Sequence, residues 1–139
     1  RQMCIRDRAD GVHVGRHDMP VAACRRILGH EVCIGATVRT AEAAQAAAAD
    51  GADYVGIGPA FASSTKPDLV AAGVGHVAAV ARACALPHLV IGGITQANVG
   101  QLTVAGVRGI DVCDEICAAD DPGAAAASLT EAMQPVETH

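Results

Sequence analysis

The chain has 139 residues, enough for one domain with a hydrophobic core. Its apolar fraction is 51%, yet it contains one Phe, one Tyr and no Trp, and its formal net charge is −5. This composition argues against a nucleic-acid-binding protein, and no apolar run approaches the ~20 residues needed to cross a bilayer. We therefore expect a core of Ala, Val, Ile and Leu, as found where helices pack on a parallel sheet.

Short apolar segments alternate with helix-forming segments along the chain. Residues 1–8 are rich in arginine and fit no signal peptide, so we expect a non-native or unstructured leader, a domain over 9–134 and a disordered tail over 135–139. Strands are predicted over 12–14, 32–36, 53–57, 88–91 and 110–113. Helices are predicted over 19–28, 41–50, 74–84, 96–105 and 122–133, with N-caps including Asp18, Thr40, Thr95 and Asp121.

The alternation of strand and helix predicts a parallel sheet with right-handed crossovers. Glycines recur at the carboxyl ends of the strands, at Gly15, Gly58 and Gly92, which is the edge where α/β proteins bind ligands. Two architectures fit: an open doubly wound sheet, or a (β/α)8 barrel. A barrel needs eight units, so on that reading these five would be its last five.

A phosphate-binding loop is suggested by the segment after the third strand. It is rich in small residues and carries the hydroxyls of Ser63, Ser64 and Thr65, followed by Lys66. Hydroxyls and backbone amides donate hydrogen bonds to a phosphate, and the ammonium group adds charge. The alternative is a solvated loop with a surface lysine.

The six cysteines are scattered singly, and none forms a CxxC pair. Cys113 and Cys117 are four residues apart but have no histidine at ligand spacing beside them. We therefore expect free thiols in a reducing cytosol, and hence a cytoplasmic protein without a zinc site.

Three motifs in register resemble the thiamine-phosphate synthases, which are TIM barrels. They are ADGVHVGRHD at 9–18, GADYVGIGPAFASSTKPD at 51–68 and LPHLVIGGIT at 86–95. The resemblance extends from residue 9 to about 133 and implies a partial TIM (β/α)8 barrel, comprising strands four to eight with their helices. It favours the barrel over the doubly wound sheet.

The family joins an aminopyrimidine-methyl pyrophosphate to a thiazole phosphate and releases pyrophosphate, so the resemblance implies a transferase with Mg²⁺ as its cofactor. It implies that Asp18 binds Mg²⁺; the alternative is its role as a helix N-cap. It also implies that Lys66, Thr65 and Ser63 hold the pyrophosphate as catalytic residues.

The resemblance implies further substrate-binding residues. Thr37 would contact the pyrimidine; alternatively it is a strand-end residue that caps the next turn. His13 would lie near the pyrimidine pocket, or be a satisfied core histidine. The amides of Gly92 and Gly93 would hold the thiazole phosphate, although a tight turn that needs positive φ would also select glycine.

The chain departs from the family pattern at two places. Arg16 replaces a usual glutamine, and the run 113–116 replaces a VSAI-like sequence. Asp114 and Glu115 would repel a phosphate there unless they turn away. With the first three strands absent, we expect a fragment whose own activity is uncertain.

Two other functions compete with the synthase. A thiazole tautomerase shares the barrel, but the TKPD run at 65–68 argues against it, and Arg39 stands beside the place of its expected catalytic histidine. A non-catalytic phosphate-binding half barrel is the third reading. We expect small-molecule substrates as partners, neither nucleic acid nor membrane, and open sheet edges that allow a homo-oligomer.

Overall fold

The computed structural model describes residues 9–63 and 68–134, so the expected leader and tail lie outside it. Strands and helices alternate through these ranges, as the sequence predicts. The strands are β1 (Gly11–Val14), β2 (Cys33–Val38), β3 (Tyr54–Ile57), β4 (His88–Ile91) and β5 (Ile110–Asp111). The helices are α1 (Val21–Leu28), α2 (Ala41–Ala49), α3 (Val74–Ala83), α4 (Val99–Val104), α5 (Asp114–Cys117) and α6 (Pro122–Ala132).

The order of the strands distinguishes the two predicted architectures. All five strands are parallel, and each pairs with the next one along the chain, in the order β1-β2-β3-β4-β5. In a doubly wound sheet the order of the strands reverses at a switch point, whereas in a barrel each strand lies beside the next one along the chain. The sheet is therefore an arc of a (β/α) barrel, and the prediction of the barrel is confirmed.

The outer face of the arc carries the hydrophobic core. Alternate strand residues point toward the helices, and Ile34, Val55 and Val90 have no exposed surface. Val77 of α3 and Leu102 of α4 are equally buried against them. The expected aliphatic core is confirmed: small and branched side chains let the helices approach the sheet closely.

The inner face of the arc is polar and rich in glycine. The strand register places His13 beside Gly35, and Gly35 beside Tyr54. Thr37 lies beside Gly56 in the same way, two residues closer to the carboxyl ends of the strands. Because this face is the interior of a barrel, its side chains lie next to the edge where barrels bind substrates.

Side-chain caps define two helices as predicted. Thr40 accepts a hydrogen bond from the amide of Ala43 at the start of α2, and Asp121 accepts one from Ala124 at the start of α6. The prediction that Asp18 caps α1 is wrong, because that helix begins only at Val21, after Pro20 in an extended conformation.

Two segments near the carboxyl end differ from the prediction. The helix expected from Thr95 begins at Val99, because the Asn98 side chain first closes a turn: its Oδ1 accepts from the Thr95 amide at 2.8 Å. β5 ends at Asp111, because its partner β4 ends at Ile91 and leaves nothing to pair with. The following residues form α5, which the sequence does not predict.

An arginine ties the loops together at the amino-terminal edge of the sheet. Arg25 donates to the carbonyl oxygens of Gly51, Gly29 and Val32 at 2.7–3.0 Å. It also pairs with Asp53 at 2.6 Å, and Asp53 accepts from the Ile34 amide at 2.7 Å. Within the described residues, no helix is long and apolar enough to span a membrane.

Candidate active site

A cleft of about 890 Å³ lies along the carboxyl edge of the sheet. Every strand contributes to it through the residues at its carboxyl end. Among them are Gly15 and Asp18 after β1, Thr37 and Arg39 at the end of β2, Gly58 and Ser63 after β3, Gly92 and Gly93 after β4, and Val112 to Glu115 after β5. This is the edge where barrel enzymes carry their active sites.

Asp18 is half-buried in the wall of this cleft. Its Oδ2 accepts a hydrogen bond from the Gly15 amide at 2.6 Å, and its own amide donates to the Gly15 carbonyl at 3.1 Å. These bonds hold the loop after β1 in place and explain why Asp18 is not a helix cap. A carboxylate offers about four acceptor sites, so this contact is compatible with a metal ligand.

Three side chains from three strands form a hydrogen-bonded network beside the cleft. His13 Nε2 lies 2.8 Å from Thr37 Oγ1, and His13 Nδ1 lies 3.1 Å from the Tyr54 hydroxyl. The expectation of a core histidine is wrong, because His13 is exposed on the inner face. The alternative for Thr37 is wrong, because Thr37 lies within β2 and its hydroxyl contacts His13 instead of capping the next turn.

Tyr54 and the glycines that make room for it are part of the site that the sequence did not predict. A Cβ at Gly35 would collide with the Tyr54 ring and lie 2.5 Å from His13 Nδ1, and one at Gly56 would lie 3.3 Å from the His13 ring. Only glycine at these two positions leaves room for both rings on this face of the sheet. The sequence did carry a signal: a glycine two residues from each of these side chains, so that both point to the same face of the sheet. Gly35 precedes Thr37 by two residues, and Gly56 follows Tyr54 by two.

The Gly92–Gly93 turn requires glycine on two grounds. Its φ angles are +94° and +63°, and a Cβ at Gly93 would overlap the Ala62 carbonyl oxygen. Hydrogen bonds join this turn to the loop after β3, since the Phe61 amide donates to the Gly92 carbonyl at 3.1 Å. The tight turn is confirmed, and its contact with a phosphate stays a prediction.

Ser63 lines the cleft beside this turn. Thr65 and Lys66, the other predicted members of the phosphate-binding loop, lie outside the described residues. The structure thus brings Asp18, Thr37, Ser63 and the glycine turn to one cleft.

Carboxylates outnumber cations in the described lining of the cleft. It contains five carboxylates and two guanidinium groups, those of Arg16 and Arg39. Glu115 is engaged: its Oε1 accepts from the Gln96 amide at 2.8 Å. Among the described residues no group of three or more His, Cys, Asp or Glu is arranged to bind a metal ion.

Two pKa shifts accompany the site. Burial raises the pKa of the Tyr54 phenol. The neighbouring Cys117 thiol, with a smaller effect of Asp114, raises the pKa of the Cys113 thiol. The five cysteines within the described residues are free thiols.

Known proteins resemble this chain in sequence and in structure. The family model for thiamine monophosphate synthase matches residues 2–116. A thiamine-phosphate synthase of Haloarcula marismortui is 46% identical over 91% of this chain, and one of Chloroflexus aurantiacus is 46% identical over 87%. A solved thiamine phosphate pyrophosphorylase of Pyrococcus furiosus superposes with a TM-score of 0.84 at 30% identity, over 95% of this chain.

These relatives are longer than the chain. The chain spans 62% and 56% of the length of the two synthases and 63% of the length of the solved pyrophosphorylase. The family match covers β1 to β5 and ends within α5, so it includes every strand that contributes to the cleft. This chain belongs to the thiamine monophosphate synthase family.

Proposed function

We propose that this chain forms the substrate cleft of a thiamine-phosphate synthase. The reaction joins 4-amino-2-methyl-5-pyrimidinylmethyl pyrophosphate to thiazole phosphate. The bond between the methylene carbon and the pyrophosphate oxygen breaks, and pyrophosphate leaves with the electron pair. The thiazole nitrogen then forms the new carbon–nitrogen bond, which gives thiamine phosphate.

One observation carries this proposal. Asp18, Thr37, Ser63 and the Gly92–Gly93 turn come from four different strand ends, and all line a single cleft. The synthase reaction needs a site for two phosphorylated substrates side by side, and about 890 Å³ is room for both. A binding module for one phosphate would not need polar groups along the whole edge.

The leaving pyrophosphate needs positive charge and hydrogen-bond donors. Ser63 lies at the cleft, and Lys66 and Thr65 follow it in the chain. We assign these three residues to the pyrophosphate. We assign the glycine turn to the thiazole phosphate, because two residues with positive φ turn backbone amides toward a ligand in the way that binds anions.

Mg²⁺ fits this cleft as an ion held by one carboxylate and by substrate. Asp18 is the residue that would hold it, since magnesium commonly binds one or two carboxylates plus phosphate oxygens. When bound, the ion supplies charge neutralisation for the pyrophosphate. The excess of carboxylates over guanidinium groups in the lining supports this need for a cation. The free thiols support a cytoplasmic location.

The test is a product assay with both substrates and Mg²⁺, in which thiamine phosphate is quantified by chromatography. It uses the chain itself and the chain grafted into the Haloarcula marismortui relative in place of the region it matches. Lys66→Ala in the graft should abolish turnover. Arg26→Gln, which removes an exposed cation on α1 away from the cleft, should leave it unchanged.

Two outcomes would contradict the proposal. Unchanged turnover in Lys66→Ala would refute the assignment of the loop. A folded graft that binds thiazole phosphate but makes no product would indicate a tautomerase or a phosphate-binding protein instead.

A further inference from the structure

Two exposed cysteines lie together at the end of the cleft formed by β5 and α5. Cys113 precedes α5, and Cys117 is the last residue of that helix. The Cys117 amide donates to the Cys113 carbonyl at 2.9 Å, so the two residues are one helical turn apart. Side chains at this spacing lie on the same face of a helix. The two residues therefore form a dithiol.

The other described cysteines lie singly on different elements. Cys24 is buried in α1, and Cys84, at the end of α3, donates from its thiol to the Leu86 carbonyl at 3.6 Å. Cys33 is exposed on β2. None of these three shares a helical turn with a second cysteine.

The Cys113 and Cys117 thiols influence each other. The Cys117 thiol raises the pKa of the Cys113 thiol, and Asp114 adds a smaller effect in the same direction. The Cys113 side chain makes no capping bond to α5. The first thiol is therefore oriented by its neighbour and not by the start of the helix.

The backbone of this turn comes close to the geometry of a disulfide. Four residues of α-helix rise about 6 Å, which lies within the range of about 4.4–6.8 Å that a disulfide allows between Cα atoms. The Cβ atoms at this spacing are roughly 5–6 Å apart, whereas a disulfide needs about 3.5–4.5 Å. The turn must therefore tighten by roughly 1–2 Å before the bond can form.

Helix α5 offers little resistance to such a movement. It has four residues, none of them fully buried, and Ile116 is the one that packs partly against the core. Glu115 makes its main polar contact, since Glu115 Oε1 accepts from the Gln96 amide at 2.8 Å. Glu115 lies between the two cysteines in the chain, so a tighter turn moves this carboxylate.

We propose that Cys113 and Cys117 are an oxidation site: hydrogen peroxide converts this dithiol to an intramolecular disulfide, and the tighter turn withdraws Glu115 from the Gln96 amide. One thiol attacks the peroxide and breaks its O–O bond, which gives a sulfenic acid and one water. The second thiol displaces the sulfenic oxygen as another water and forms the S–S bond. The two sulfur atoms lose two electrons in total, and the two peroxide oxygen atoms gain them.

This site goes beyond the proposed function and does not depend on it. Cys113, Asp114 and Glu115 line the cleft, so the oxidation rearranges acidic groups at this corner whatever ligand the cleft holds. A disulfide in a reducing compartment is typically transient and redox-sensing, which suits an exposed pair on a short helix.

Trypsin isolates the pair in one fragment. No Lys or Arg follows Arg108, so residues 109–139 form a single peptide whose only cysteines are Cys113 and Cys117. After hydrogen peroxide, we expect this fragment to lose about 2 Da, the mass of two hydrogen atoms, and to regain it with dithiothreitol. Oxidation of Met133 adds mass instead and is therefore distinguished.

Dimedone, which traps sulfenic acids, tests the second step. Cys33 is the matched control, an exposed thiol without a partner on its element, and its fragment should be labelled. Labelling of fragment 109–139 should be low in the unmodified chain and should rise at least about 5-fold in Cys117→Ser, which removes the second thiol. Cys113→Ser gives the same test with the other thiol.

Three results would overturn the oxidation site. These are strong dimedone labelling of fragment 109–139 in the unmodified chain, disulfide-linked dimers through this fragment, and a fragment that stays reduced while Cys33 is oxidised.

The Gln96 amide reports the consequence for the cleft. In spectra of the ¹⁵N-labelled chain, oxidation should move the Gln96 amide signal toward its position in Glu115→Ala, where the acceptor is absent. The Ala43 amide, which donates to Thr40 at the start of α2, should keep its position. An unchanged Gln96 signal in the disulfide form would overturn the withdrawal of Glu115. Turnover by the graft bears on the proposed function alone, so the two proposals fail separately.

Discussion

Replacing Gly93 with alanine tests whether the glycine turn is needed for its conformation alone or also for its packing. The turn residue has φ +63°, and a Cβ there would overlap the Ala62 carbonyl oxygen and lie 2.8 Å from that of Phe61. Both obstacles are backbone atoms, so no side-chain rotation relieves the contact. The loop after β3 and the loop after β4 would have to separate.

The expected loss has two parts. A left-handed conformation costs an alanine roughly 1–2 kcal/mol, and inserting a methyl group into a closed space costs roughly 1–3 kcal/mol. Gly93→Ala should therefore lower the free energy of unfolding by roughly 2–5 kcal/mol, the sum of those two ranges. It should also weaken the proposed binding of thiazole phosphate at this turn, because the two loops move apart.

Two other glycines provide matched controls. Gly106 has φ +85° with nothing near its Cβ position, so Gly106→Ala should cost only the conformational part, roughly 1–2 kcal/mol. Gly75 lies in α3 with open space and no positive φ, so Gly75→Ala should stabilise the chain by roughly 0.5–1 kcal/mol. Urea denaturation measures all three. A loss in Gly93→Ala no larger than that in Gly106→Ala would refute the steric reasoning.

Three further predictions concern charged and thiol groups. Arg25→Met should lower the free energy of unfolding by roughly 2–4 kcal/mol in urea denaturation, because three carbonyl oxygens and Asp53 lose their donor. The Ile34 amide and Arg25 lower the pKa of Asp53, so the carboxylate stabilises the fold above its unfolded pKa of about 3.9. This stabilisation should be lost as the pH falls from about 4 through the lower pKa that Asp53 has in the folded state. The denaturation midpoint of Asp53→Asn should therefore depend less on pH in this range than that of the unmodified chain. Cys117→Ala should speed the alkylation of Cys113 by iodoacetamide near pH 8, because the Cys117 thiol is the main cause of its raised pKa.

Specific results would contradict these three. A stability of Arg25→Met within 0.5 kcal/mol of the unmodified chain, roughly the spread of ordinary surface substitutions, would mean that water replaces the guanidinium without loss. Identical acid dependence with and without the Asp53 carboxylate would contradict the assigned pKa shift. Unchanged alkylation of Cys113 in Cys117→Ala would show that the two thiols do not interact.

Local patterns predict local structure well in this chain. Thr40 and Asp121 were identified as N-caps because a hydroxyl or carboxylate before a helix has one nearby group to bind, an amide three residues on. Gly106 marks the end of α4 in the same local way, through its positive φ. Asp18 fits the same rule but does not cap a helix: its carboxylate accepts from the Gly15 amide, and the helix begins only after Pro20.

The site was predicted in part. Ser63 and the Gly92–Gly93 turn lie in motifs that resemble the family, and the same resemblance implies a role for Thr37; the cleft contains all of them. Tyr54 was read only as part of a strand. Its partner His13 is 41 residues away, and no local rule connects them. The contact of Glu115 with the Gln96 amide, 19 residues apart, could not be predicted either.

The amino-acid sequence by itself determined the alternation of strands and helices, the parallel direction of the strands and the aliphatic core. These properties follow from periodicity, caps and composition, which act over a few residues. Only the tertiary structure decided the winding order β1 to β5, the meeting of His13, Thr37 and Tyr54, and the shortening of β5. Those features depend on pairing between distant segments, where the register of one strand decides which side chains of the next can touch it.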